Sequence, residues 1–184
     1  MSRRPALPIS LYLSGRSVIV AGDGEGADER QRRLEAAGAT VTRVAVADYL
    51  PERVAGAFLV VANDGDDEFN RRVAGDARAT GAVVYAHDQP DVSDLAMPAL
   101  IRRGPLAIAI STDAAAPALS RRLREQLQSL IEAAGTAIDR LIDHMIAERA
   151  ALAPGSERAK RLYRIASRLR IRGAVEVDDD AGDV

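Results

Sequence analysis

The stretch that most restricts this chain is Ser17-Val18-Ile19-Val20-Ala21-Gly22-Asp23-Gly24-Glu25-Gly26-Ala27. A short apolar run with β-branched residues reads as a buried strand. The glycines behind it allow a turn too tight for most side chains. Ala27 to Ala37 then reads as a helix, with Asp28/Arg32 and Glu29/Arg33 as i,i+4 pairs and Gly38 as its C-cap. Strand, turn and helix frame the spacing G-x-G-x-x-A. In that frame the first glycine makes the turn, the second lets a pyrophosphate approach the backbone, and a small third residue lets helix and strand pack. Gly22, Asp23, Gly24, Glu25, Gly26 and Ala27 are therefore candidate dinucleotide-binding residues. The alternative is a glycine-rich turn that binds nothing.

Two details bear on the cofactor. Asp23 and Glu25 bring carboxylates to a turn meant for phosphates, so they point to solvent or weaken binding. The acid usually found about 20 residues later, for the ribose hydroxyls, is replaced by Val41-Thr42-Arg43. Arg43 suits a 2′-phosphate, which leaves both NAD and NADP open.

Further apolar runs at Thr40–Val46, Phe58–Ala62, Ala82–Ala86 and Leu106–Ile110 alternate with polar, helix-forming stretches. After the third run Phe69, Val73 and Ala77 recur at spacing four, one face of a helix that Gly81 closes. This alternation predicts an α/β fold: a Rossmann-like, mostly parallel but shortened sheet, covered on both faces. Beyond Ser111 the pattern is helical, with stripes Leu119/Leu123/Leu127/Ile131 and Ile138/Leu141/Ile142/Met145, and Pro154-Gly155 before a last basic helix. The expected organisation is a Rossmann-like domain over 7–111, a helical dimerisation and substrate-cleft region over 112–173, and a disordered acidic tail over 174–184. A few short helices would expose much apolar surface alone, so a homodimer is expected.

Composition removes several classes. The chain has no cysteine and two histidines, His87 and His144, which excludes disulfides, thiolate chemistry and a histidine-rich metal site. Net charge is −2, so nothing draws the whole chain to nucleic acid. Residues 156–172 carry seven Arg or Lys but only Tyr163 as an aromatic, beside an acidic tail, which argues against a nucleic-acid helix. No apolar run approaches the ~20 residues of a membrane span, and no signal peptide is visible, so a cytoplasmic location is expected.

The order of further motifs resembles the dehydrogenase part of the siroheme synthases, the precorrin-2 dehydrogenase/sirohydrochlorin ferrochelatase family. The resemblance runs through Leu7-Pro8-Ile9, Glu29-Arg30, Leu34-Glu35-Ala36-Ala37-Gly38-Ala39, and Val61-Ala62-Asn63-Asp64 leading to Asn70-Arg71-Arg72-Val73. It continues with His87-Asp88-Gln89-Pro90, Met97-Pro98-Ala99, Arg102-Arg103-Gly104-Pro105-Leu106 and Ser111-Thr112, and ends on Pro117-Ala118-Leu119-Ser120-Arg121-Arg122-Leu123-Arg124-Glu125. Compared with that family, the chain is shorter between its second strand and Pro51, as if one helix and one strand were removed. The glycines expected after Thr112 are replaced by Asp113 and alanines.

The resemblance implies NAD-dependent oxidation of precorrin-2 to sirohydrochlorin, in many members followed by insertion of ferrous iron, by a homodimer joined through its C-terminal helices. The family's loop aspartate falls on Asp88, its turn serine on Thr112 beside Ser111, and its cofactor loop extends to Asn63 and Asp64. Precorrin-2 carries eight carboxylates, so Arg102, Arg103, Arg121 and Arg124 are the expected substrate-binding arginines, with Ser111 and Thr112 near the positive end of the following helix. A carboxylate at a strand end, such as Asp88, is placed to take a proton. A non-catalytic dinucleotide sensor or tetrapyrrole-binding protein is the competing reading.

Overall fold

The computed structural model describes residues 6–113 and 115–172. Among these, β1 (Ser17–Ala21), β2 (Thr40–Val44), β3 (Leu59–Ala62) and β4 (Val83–Ala86) form one parallel sheet in the order β2-β1-β3-β4. Helix α1 (Gly24–Ala36) follows β1, and α2 (Asp67–Ala79) follows β3. Every residue of β3 is buried, which a central parallel strand requires because both its faces are covered. Val18, Val20, Leu59 and Val61 pack with Ala27 and Leu34 of α1. Ile19, Ala21, Val60, Ala62, Val84 and Ala86 pack with Phe69, Val73 and Ala77 of α2. Each fully buried valine contributes about 1.5–3 kcal/mol through lost apolar exposure.

Two expectations need correction. Helix α1 starts at Gly24, not Ala27, so the glycine motif is the helix's first turn instead of a loop before it. Between β2 and β3 the shortened stretch holds two 3-10 turns, Val46–Asp48 and Pro51–Val54. The run Leu106–Ile110 does not join the parallel sheet: as β6 it pairs with β5 (Ala99–Arg103) in a separate two-stranded sheet. The two strands are linked only by Gly104, at φ 52°, and Pro105. A link of two residues dictates an antiparallel hairpin. The edge that a fifth strand would need is also taken. Asp94 donates its backbone N–H to Val84 O (2.8 Å) and accepts from Val84 N (3.0 Å) through its carboxylate, while Ser93 Oγ accepts from Ala86 N (2.9 Å). The chain thereby blocks its own sheet edge.

The remaining helices are α3 (Pro117–Ala133), α4 (Thr136–Ala151) and α5 (Ser156–Ala166). Arg161 of α5 holds Glu148 of α4 with two hydrogen bonds (2.5 and 2.7 Å), and Ile138 and Ile165 are buried. On α3 only Ser120 is buried, and Leu119, Leu123 and Leu130 are 52%, 36% and 48% exposed. The chain divides into two compact units. One holds the described residues up to Ala99 together with Ser111–Ser120, the other Leu100–Ile110 with those from Arg121 onward. The tail from 174, expected to lack order, lies outside the described residues. No helix among the described residues is long and apolar enough to cross a membrane.

Candidate functional site

The order β2-β1-β3-β4 reverses direction between β1 and β3, and open α/β sheets bind ligands in the crevice outside the strand ends at such a switch point. Gly22 leaves β1 there, and Asn63–Asp64 leave β3. A Cβ on Gly22 would stand 2.4 Å from Asn63 O and 3.0 Å from Asp64 N, and the residue has φ +130°, so only glycine fits. Gly26 is close to the Asn63 side chain (2.8 Å from its Cβ position to Nδ2). Gly24, at φ +80°, faces open space: its missing Cβ leaves room for an approaching group. Asp23 occupies the N-cap position of α1 but makes no side-chain cap bond. The first-turn N–H groups therefore remain available, and with the helix dipole they attract an anion. These residues fit a dinucleotide's phosphates.

The acids around the turn do structural work. Asp23 neither points freely to solvent nor caps: its Oδ2 accepts from Val46 N (3.2 Å), past the end of β2. Asp64 ties the two turns together, its Oδ2 accepting from Asp23 N (2.9 Å) and its Oδ1 from Asp66 N (3.0 Å). Asn70 holds Asp64 on both backbone groups, at 3.0 and 2.9 Å. Arg43 donates from Nε to Gly22 O (2.7 Å) and from Nη1 to Asp28 Oδ1 (3.0 Å). Asp28 thus pairs with Arg43 and not with Arg32, whereas Glu29 does pair with Arg33. Sequence spacing selects helical neighbours; it carries no signal for a partner 15 residues away on β2.

Asp88 lies one residue beyond the β4 ladder, which His87 N extends by donating to Ala62 O (2.9 Å). It adopts φ 53°, a left-handed conformation uncommon outside glycine, with an 83% exposed side chain. The turn is pinned from below: Ser93 Oγ donates to Gln89 O (2.8 Å), with Ala86 O a longer alternative acceptor (3.2 Å), and Gln89 Nε2 donates to Asp67 O (2.9 Å). Strand alternation would point His87 and Asp88 apart. Both instead sit in a turn, where that period does not hold, and His87 Nε2 comes within 3.6 Å of Asp88 Oδ2. Gly22–Ala27, Asn63, Asp64, Arg43 and Asp88 thus all belong to one unit, on the carboxyl-end side of one sheet.

The arginines expected to bind substrate are deployed unevenly. Arg103 grips Asp139 with Nε and Nη2 (both 2.7 Å) and donates to Ile131 O (2.8 Å) and Gly135 O (2.5 Å), closing the α3–α4 turn. Asp139 is held below the usual carboxylate range by that hydrogen bonding. Arg102, on the opposite side of the same strand, and Arg121 are exposed. Arg124 donates to Gln128 Oε1 (2.8 Å). Thr112 Oγ1 accepts from Ala116 N (3.1 Å) and meets Ser120 Oγ (3.1 Å), so it braces the entry to α3, while Ser111 is exposed. Ser111 and Thr112 fall in the first compact unit, and Arg102, Arg103, Arg121 and Arg124 in the second.

Fold and turn together define a dinucleotide-binding α/β protein. Residues 9–99 match a family model described as "Putative NAD(P)-binding", and residues 103–130 match "Sirohaem biosynthesis protein central". A siroheme synthase of Methylobacillus flagellatus is 34% identical over 146 residues, covering 69% of this chain and 31% of its own length. That of Gluconacetobacter diazotrophicus is 34% identical over 179 residues, covering 85% and 38%. The solved structure of "SirC, precorrin-2 dehydrogenase" superposes with TM-score 0.70 at 24% identity, covering 87% of this chain and 89% of that one. The chain belongs to the siroheme synthase family, matching its NAD(P)-binding and central parts. It spans about a third of the length of the curated relatives it matches.

Proposed function

We propose that this chain oxidises precorrin-2 to sirohydrochlorin with NAD, within siroheme formation. The observation that carries this reading is the uncapped first turn of α1 on the same sheet end as the exposed, conformationally strained Asp88. Between β1 and β4 lies only β3, so two strand spacings, roughly 10 Å, separate the phosphate turn from the Asp88 turn. A dinucleotide held at α1 can span that distance. When bound, NAD accepts the hydride. The chain's own part is to hold the phosphates on the N–H groups of Gly24 to Ala27, orient the macrocycle through its carboxylates, and receive at Asp88 the proton released as the hydride leaves. NAD is favoured over NADP because the charge of Arg43 is already paired with the Asp28 carboxylate, which leaves it a poor partner for a 2′-phosphate.

The homodimer reading is supported by the exposed leucines of α3 and by the two-stranded β5–β6 sheet, since an isolated hairpin is marginal in water. Incubation with precorrin-2 and NAD, followed in the visible spectrum, tests the activity. Formation of sirohydrochlorin with matching NADH is expected, and no spectral change refutes the reading. Ferrous iron added afterwards tests insertion in the same cuvette.

A further inference from the structure

Most of the arginines with hydrogen-bond partners among the described residues have a carboxylate in reach: Glu29 for Arg33, Asp28 for Arg43, Asp91 for Arg71, Asp94 for Arg78, Asp139 for Arg103 and Glu148 for Arg161. Arg30 of α1 is different. It is half-buried, no described acid pairs with it, and its hydrogen bonds go to two neutral acceptors: Tyr85 Oη (3.2 Å) and Met97 Sδ (3.3 Å). Its guanidinium carbon also stands 5.2 Å over the Tyr85 ring. A thioether is a weak acceptor, so a full positive charge is positioned here without being neutralised. Five N–H groups less two leave three free to donate. Tyr85 accepts from Arg30, and its own O–H donates to none of the described residues. Burial, as the largest cause, and the nearby Asp88 raise its ionisation above the ordinary phenol value, which keeps that proton in place as a donor.

We propose that Arg30 and Tyr85 form an anion subsite beside Asp88 that takes one peripheral carboxylate of the tetrapyrrole substrate. The proposal rests on the reading above that precorrin-2 is the substrate. Two anion sources share this chemistry, a substrate carboxylate and a dinucleotide phosphate. Placement favours the former. Arg30 is six residues past Gly24, about 9 Å along the helix axis from the phosphate turn, and it faces β4, the strand that leads into Asp88. A carboxylate gripped by the guanidinium fork and the phenol would orient the macrocycle towards Asp88 without touching the reacting carbon. Arg30 and Tyr85 are thus positioning residues.

The test is steady-state kinetics of the full chain with precorrin-2 and NAD, alongside fluorescence titration with NADH. Arg30→Gln should raise KM for precorrin-2 by about tenfold or more, the loss of one charge-assisted hydrogen-bond pair, and leave the NADH dissociation constant within twofold. Tyr85→Phe, which keeps the ring in the core, should raise KM about threefold to tenfold and serves if Arg30→Gln does not fold. An unchanged KM in both variants overturns the subsite. A weakened NADH affinity with unchanged KM assigns the anion to the cofactor and also overturns it. If the wild type turns over no precorrin-2, the functional reading fails first. Absorbance titration with sirohydrochlorin then decides the subsite separately: tighter binding by wild type than by Arg30→Gln sustains it, and equal or absent binding ends it.

Discussion

Replacing Gly22 by alanine should unfold the switch point before it affects chemistry. The added Cβ would lie 2.4 Å from Asn63 O and 2.6 Å from Asn63 C, where ordinary contact begins at 3.4 Å. The β3–α2 turn must therefore retreat by roughly 1 Å, and backbone cannot rotate away as a flexible side chain can. Such overpacking costs about 1–3 kcal/mol, and holding a non-glycine residue at positive φ adds roughly 1–2. The retreat also stretches the Asp23 N to Asp64 Oδ2 bond that joins the two turns. A total of about 3 kcal/mol moves a urea midpoint by roughly 1–3 M at ordinary denaturant slopes. Gly24→Ala is the control. It meets nothing within 4 Å, so only the φ penalty, about 1 kcal/mol, applies to folding. Its methyl instead stands in the open space beside the α1 terminus, so NADH affinity should fall about tenfold. Urea denaturation and NADH fluorescence titration separate the two. Equal stability of Gly22→Ala and wild type would refute the close approach, and unchanged NADH affinity in Gly24→Ala would refute the phosphate placement.

Asp88→Asn should lower turnover about 10²–10⁴-fold if the carboxylate takes a proton, with NADH affinity unchanged; wild-type turnover removes that role. Asp88→Gly, relieving a residue at φ 53°, should stabilise the fold by up to about 1 kcal/mol while activity is lost, and a lower melting temperature argues against strain. Asp139 has a lowered folded-state pKa, so its bond with Arg103 contributes stability above the ordinary carboxylate range and loses it as pH falls through the lowered value. The melting-temperature gap between wild type and Arg103→Gln should accordingly be full at pH 7 and narrow below about pH 4; a gap independent of pH contradicts the ion pair. Light scattering at micromolar concentration should give a dimer, reduced to monomer by Leu123→Glu on the exposed face of α3, and a monodisperse wild-type monomer excludes the interface.

Local pattern was enough for part of this protein. The run Ser17–Ala21, the glycine spacing behind it and the Phe69/Val73/Ala77 stripe are each encoded within one element, so strand, phosphate turn and helix face are legible from neighbours in sequence. The motifs around Asp88 and Met97 likewise carried the family. What the sequence could not reveal depends on partners distant along the chain. Arg43 was legible as a cation near a ribose, but only the β1–β2 register puts it against Gly22 and Asp28. Arg103 read as a substrate ligand until the α3–α4 turn closed on it. Leu106–Ile110 has the composition of one more buried strand, yet the loop at Ser93–Asp94 occupies the β4 edge of the sheet. Arg30 has the same residue type as its neighbours Arg32 and Arg33. Only packing decides that it meets a phenol and a thioether instead of a carboxylate, because the charge balance of a side chain is set by what tertiary structure brings within 4 Å of it.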